Sequence, residues 1–272
     1  MSSNDEGSIS ETETRGYRVT HNKTDPGACR HGNFINYYQF HPAEERLRQL
    51  PRGVWHADPT DRKYVGLDVG CNAGNLTLAL YDFLRANIDD SSSDNTDLSL
   101  LGVDLDPVLI ERAKEGNDPN TGRDVTYKCM DFMAAESSGV IDEFLTSKGR
   151  DLFDVAFCFS VTMWIHLNHG DSGLVQFLRS VCEKTRIILV EPQPWKCYRN
   201  ASRRLKRANV ADFPMLQSLR YTGEMDTHVE NILTEHCGFD KLTESGNNDW
   251  GRKLLIFKRK QTKCDNLIDL NE

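Results

Sequence analysis

The stretch KYVGLDVGCNAGNLTLAL, Lys63 to Leu80, decides the fold. Lys63–Val69 reads as a largely apolar strand, the residues from Asn75 onward as an amphipathic helix, and glycines fill the bend between them. Such a crossing usually holds a nucleotide-like cofactor at the helix N-terminus. A dinucleotide site needs G-x-G-x-x-G so that a pyrophosphate can lie on bare backbone. Here Gly66, Gly70 and Gly74 are spaced by four, with Asp68 and Asn72 in the bend. A carboxylate at that place suits a cofactor whose amino-acid end carries an ammonium better than one carrying pyrophosphate. D-x-G-x-x-x-G after a strand is therefore an S-adenosylmethionine signature, with Asp68, Gly70, Asn72 and Gly74 as candidate cofactor residues. A purely structural strand-to-helix turn is the bland alternative.

The next segments support the signature. LLGVDLDP ends a strand with Asp104, where a carboxylate accepts both hydroxyls of a ribose. Asp104 lies 36 positions after Asp68, longer than the usual interval of about 20, and the acidic, serine-rich insertion at 88–97 accounts for the excess. Asp106, just before Pro107, reads as a helix cap. In CMDF (Cys129–Phe132), Asp131 is placed to take an adenine amino group, and the following backbone N–H to meet a ring nitrogen. Helical patterns at Pro42–Leu50, Asn75–Arg85, Pro107–Glu115, Val140–Ser147 and Ser172–Thr185 alternate with strand-like runs ending in LFDVAFCFS, RIILVEP, FDKLTES and RKLLIFKRK. That order predicts an α/β, Rossmann-like, doubly wound and mostly parallel seven-stranded sheet, closed by a C-terminal antiparallel hairpin. Its ligands belong at the carboxyl ends of the strands. The domain is expected over 29–259, between a polar N-terminal tail at 1–28 and a loose C-terminal tail at 260–272.

Composition narrows the class. The chain has 272 residues, 38% of them hydrophobic, enough for one large α/β domain. It has no apolar run near the length of a membrane span, and its N-terminus lacks the layout of a signal peptide. Its eight cysteines contain no CxxC pair, which fits buried thiols in a reducing, cytoplasmic compartment and argues against structural zinc. The net charge of −8 excludes a general nucleic-acid coat while leaving room for recognition of one phosphate. Lys196–Arg207, KCYRNASRRLKR, breaks the acidic trend with six Lys or Arg and no acid; it reads either as a solvated helix face or as an RNA-phosphate contact. His166, His169 and Asp171 have a metal-like spacing, but satisfied core histidines are the better reading and no metal is expected. Trp164 and Trp195 are core residues or platforms for a base, with Trp195 nearer any RNA because it adjoins the basic run.

Five blocks in one order, GNFINYYQFHPAEERL, GLDVGCNAGNLT, DFM, CFSVTMWIHLNHGD and EPQPWKCYR, make the chain similar to the bicoid-interacting family of RNA 5′-phosphate methyltransferases over about Gly32–Lys258. Within that family it most resembles the small branch acting on 5′-monophosphates of pre-microRNA and cytoplasmic histidine tRNA. The resemblance implies a class I S-adenosylmethionine-dependent methyltransferase fold, with S-adenosylhomocysteine as product and an RNA 5′ end as partner. It implies Arg46 against the cofactor's carboxylate, Asn72 beside the methionine part and Asp104 at the ribose. Asp131 and Phe132 would hold the adenine, and Phe159 would offer backbone at the methyl-transfer end. Phe159 stands where the small branch has methionine, which a backbone contact tolerates.

The implied chemistry is an in-line displacement, so the protein must mainly align three atoms and exclude water. A terminal phosphate has a second pKa of about 6 and is already an anion near neutrality, so neither a general base nor a metal is needed. Neutral donors (Asn33, Tyr37, Gln193, Tyr198) suit its orientation, and Lys196 and Arg199 its attraction. Two other accounts fit the residues: a non-catalytic RNA-binding scaffold that keeps a cofactor pocket, and a methyltransferase of a protein or small metabolite. Nothing in the sequence demands a partner subunit, so a monomer is expected.

Overall fold

The computed structural model describes residues 27–57, 61–88 and 96–261. The expected N-terminal tail lies almost wholly outside these residues, as do most of the acidic insertion and of the C-terminal tail. In chain order the elements begin with two short helices, Tyr37–Phe40 (α1) and Ala43–Gln49 (α2). Strand Lys63–Val69 (β1) leads into helix Asn75–Asn87 (α3), and Asp97–Asp104 (β2) into Pro107–Gly116 (α4). Asp124–Cys129 (β3) is followed by Ser137–Lys148 (α5), Phe153–Phe159 (β4) by Thr162–Glu183 (α6), and Thr185–Glu191 (β5) by Trp195–Arg207 (α7). Helix Met225–Asn231 (α8) precedes the closing strands Phe239–Glu244 (β6) and Leu255–Arg259 (β7).

The seven strands lie in the order β3-β2-β1-β4-β5-β7-β6. β1 pairs in parallel with both β2 and β4, whereas β7 runs antiparallel to β5 and to β6. The order therefore reverses between β1 and β4, and the crevice outside their carboxyl ends is where such sheets bind ligands. β1 is flanked by a strand on each side, and its alternate residues serve opposite faces of the sheet. Val65, Leu67 and Val69 join the core beneath α5, α6 and α7, and Tyr64 joins the core beneath α3 and α4. Among the described residues, no helix is long and apolar enough to cross a membrane.

Helix α6 departs from the sequence expectation. It begins at Thr162 rather than Ser172 and absorbs the whole MWIHLNHG block. Gln193 Oε1 accepts the Met163 N–H at 3.2 Å and the Thr162 hydroxyl at 3.3 Å, which secures the early start. Gly170, at φ 73° and ψ −173°, then breaks the helical path, a conformation only glycine adopts without strain. Asp171, just past this kink, accepts the backbone N–H groups of Arg220 and Tyr221.

Candidate functional site

Two clefts meet at the carboxyl ends of β1, β4 and β5. The first is partly open to solvent. Its floor is the glycine bend. The N–H groups of Gly70 and Cys71 both bond the Val103 carbonyl, which fastens the bend to β2. Gly74 has φ +79°, and a Cβ there would stand 2.6 Å from the Tyr127 hydroxyl, so both conformation and space require glycine. Asn72 also takes a positive φ of 52°. That twist aims its side-chain amide at the Phe34 carbonyl, 3.0 Å away.

Asp104 forms one wall of this cleft. Its two carboxylate oxygens accept the Asn72 N–H at 2.9 Å and the Asp106 N–H at 3.0 Å, which fixes the group while leaving each oxygen a free lone pair. Burial pushes its pKa up even so. Asp131 and Phe132 line the same cleft. Asp131 accepts the Met133 N–H at 2.9 Å, and Phe132 packs edge-on against Phe177. Phe159 faces the cleft from the end of β4, stacked on Phe157. The roof is an N-terminal strap: Asn33 donates to Asp106 at 2.7 Å, and Asn168 holds the Arg30 carbonyl at 2.9 Å. Gly32 lies directly on Trp164, so a Cβ there would stand 2.2 Å from the indole nitrogen.

Arg46 closes the far end and is fully buried. Its Nε and Nη2 bond the two oxygens of Glu191 at 3.2 and 3.0 Å, and Nη2 also donates to Tyr37 and Ser160. Its Nη1 has no partner. A buried guanidinium nitrogen left unpaired in the wall of a cleft calls for an anion, and a carboxylate suits it through a charge-assisted hydrogen bond. Ser160 sits at φ 56°, a strained position for a non-glycine residue. There its hydroxyl donates to Glu191 and accepts from both Arg46 and Arg252. Burial opposes ionisation of Glu191, but Arg46 and Arg252 outweigh it and lower the carboxyl to about 2.

The second cleft shares Tyr37, Ser160 and Trp164 with the first. Its other walls include His41 and Trp250, which meet edge to face at 4.8 Å, together with Arg252 and Arg204.

Several sequence candidates take other places. Asp68 lies under the floor rather than in the wall: strand alternation turns it to the α3 face, where it accepts the Thr77 hydroxyl at 2.7 Å. Burial raises it to about 6. Tyr198 is buried with its hydroxyl 3.1 Å from His166 Nδ1, while His166 Nε2 meets Asp171 at 2.7 Å. Both side chains therefore serve packing of α6 against α7, and Trp195 stacks on Tyr198 instead of entering a cleft. The tryptophan that does line the second cleft is Trp250. Gln193 lines it too, yet its amide is occupied by Ser160, Thr162 and Met163. Lys196 and Arg199 lie exposed on α7, outside both walls, and Asn33 belongs to the first cleft. Among the described residues, no three His, Cys, Asp or Glu side chains gather in a metal-like cluster.

The sequence reading missed Glu191, Ser160, His41, Trp250 and Arg252. Glu191 stands at a strand end like the acids that were recognised, in the EPQPW block, so position alone pointed to it. Arg252 lies in a polar turn between β6 and β7, and only the fold carries that turn to the site.

A chain from the complex between the Haloferax volcanii Trm112 methyltransferase activator and a methyltransferase superposes with a TM-score of 0.52 at 10% identity, covering 84% of this chain and 92% of that one. Sheet order and glycine bend together give this protein the fold of the class I S-adenosylmethionine-dependent methyltransferases. Residues 153–259 match the family model described as bicoid-interacting protein 3. An RNA 5′-monophosphate methyltransferase of Bos taurus is 45% identical over 244 residues, 87% of this chain and 83% of its own. A pre-miRNA 5′-monophosphate methyltransferase of Xenopus laevis is 42% identical, covering 88% and 96% of the two chains. The chain belongs to the bicoid-interacting protein 3 family.

Proposed function

We propose that this protein methylates the 5′-monophosphate of small RNAs of the pre-microRNA or histidine tRNA class, working as a monomer in the cytoplasm. The observation that carries the reading is the meeting of two clefts at Tyr37, Ser160 and Trp164, one suited to a methyl donor and the other walled by Arg204 and Arg252, cations that suit an anionic acceptor. The high identity to relatives that are RNA 5′-monophosphate methyltransferases supplies the acceptor class. The described cysteines are all free thiols, which supports a reducing compartment.

S-adenosylmethionine, when bound, supplies an electrophilic methyl group on a sulfonium. The residues present fit it. Arg46 offers its unpaired Nη1 to the amino-acid carboxylate, and Asp104 offers two fixed oxygens to the ribose hydroxyls. Asp131 and Phe132 face the adenine position, and the Phe159 backbone borders the transfer end. The strap from Arg30 to Asn33, tied to Asp106 and Asn168, covers this cleft from above. The residues need only align an acceptor oxygen that is already ionised near neutral pH, since a terminal phosphate loses its second proton at about pH 6. Each methyl transferred removes one negative charge, which hides the end from proteins that read a charged 5′ phosphate.

The test compares a short RNA bearing 5′-phosphate with the same RNA bearing 5′-hydroxyl, each incubated with protein and S-adenosylmethionine and weighed by mass spectrometry. A gain of one or two methyl groups on the phosphorylated RNA alone is expected. Equal methylation of both ends rejects the phosphate as acceptor.

A further inference from the structure

The arginines at the two clefts share one carboxylate. Glu191 is fully buried and takes Arg46 from one side, while from the other its Oε2 accepts Arg252 Nη1 at 3.3 Å. Asn248 and Trp250 donate to its Oε1 at 3.2 and 3.4 Å. One buried anion therefore ties three residues of the turn between β6 and β7 and holds two guanidinium groups, leaving a net positive charge among buried side chains. Arg252 is itself more than nine-tenths buried, and its Nε has no partner. His41 faces it across the cleft, stacked on Tyr37 at 4.9 Å, with its Nδ1 also unpartnered. Burial and the nearby Arg252 lower the imidazole to about 4, so this histidine is neutral at pH 7.

We propose that the second cleft binds the terminal phosphomonoester of the acceptor, and that Arg252, held by Glu191, is the residue that reads its charge. Two unpaired guanidinium edges, Arg46 Nη1 and Arg252 Nε, then answer two anions: the donor's carboxylate in the first cleft and the acceptor's phosphate in the second. The shared Glu191 also has a chemical consequence. A cation already half-compensated by a carboxylate attracts the phosphate without fully quenching the oxygen that must attack, whereas a bare pair of arginines would stabilise the reactant anion more than the transition state. Trp250 and neutral His41 add flat aromatic walls that suit the first nucleotide. This assignment rests on the proposed RNA 5′-phosphate activity.

The experiment measures equilibrium binding of a short 5′-phosphorylated RNA and its 5′-hydroxyl twin, with S-adenosylhomocysteine present, to the wild-type protein, Arg252→Met and Arg252→Lys. The wild type should prefer the phosphorylated end by roughly tenfold or more, as one hydrogen-bonded ion pair implies. Arg252→Met should bind the two RNAs alike while keeping its affinity for S-adenosylhomocysteine, and Arg252→Lys, which retains the charge, should recover part of the preference. Preference retained in both variants overturns the assignment, as does equal loss of both RNAs. Should Arg252→Met fail to fold, Arg252→Lys decides alone, since an unchanged phosphate preference refutes a guanidinium reader. These outcomes are separate from the activity itself: wild-type methylation that ignores the 5′ phosphate defeats the proposed function, whereas phosphate-dependent methylation with an unaltered Arg252→Met preference defeats only the role of Arg252.

Discussion

Arg46→Lys separates what the buried guanidinium does for the fold from the cofactor contact proposed for it. In the wild type, Nε and Nη2 are committed to Glu191, Tyr37 and Ser160, and Nη1 is left for a ligand. A lysine keeps the positive charge beside Glu191 but is a single point donor, unable to serve that carboxylate and a second anion at once. The loss at the cofactor is then one charge-assisted hydrogen bond, about 1.5–3 kcal/mol, which corresponds to a dissociation constant roughly 10- to 100-fold weaker. Isothermal titration with S-adenosylhomocysteine measures it. Methylthioadenosine, which has the nucleoside and sulfur but no amino-acid end, is the control, and its affinity should change by no more than about twofold. Equal weakening of both ligands would mean that the substitution damages the cleft generally, and no weakening of either would mean that Arg46 has no part in binding. Either result refutes the reasoning.

Asp104→Ala should weaken S-adenosylhomocysteine and methylthioadenosine together, by about 100-fold, because both carry the ribose and two hydrogen bonds to a charged group are lost; calorimetry with the same ligand pair checks it. Glu191 is held at about 2, below its reference value of 4.5, so its contribution to stability is full above about pH 4.5 and is lost as the pH falls toward 2. That amounts to about 3 kcal/mol, and urea unfolding across this window should show an acid slope that Glu191→Gln flattens. Asp68 has the opposite sign: raised to about 6 by burial, it favours the fold most below about pH 3.8 and costs stability as the pH rises through 6. Asp68→Asn should therefore stabilise the protein at pH 7 and not at pH 3, read by the same unfolding series. Lys196, Arg199 and Arg203 form an exposed stripe on α7 beside the second cleft. Their replacement by Gln should lower the salt dependence of RNA binding by about 0.7–0.9 in log–log slope for each phosphate contact removed.

The sequence by itself determined the sheet and the rim that borders the first cleft. Strand alternation, the glycine spacing of 66, 70 and 74, and an acid at the end of each of three successive strands are local signals, and a parallel sheet carries such residues to one rim whatever else the chain does. Even there the face was hidden: Asp68 and Asp104 both end buried strands, and only packing against α3 shows that Asp68 points to Thr77 beneath the floor while Asp104 enters the cleft. Tertiary structure alone decided the second cleft. Arg252 follows Glu191 by 61 positions and Arg46 precedes it by 145, and no periodicity or motif relates residues that far apart. They meet because β7 inserts between β5 and β6, which swings the preceding turn back over the end of β5. Tyr198 and Trp195 show the converse, since a basic, aromatic helix reads as a binding face until the core takes its aromatic side. Which side chains a buried charge will pair with is settled by three-dimensional proximity and desolvation, and a one-dimensional pattern carries neither.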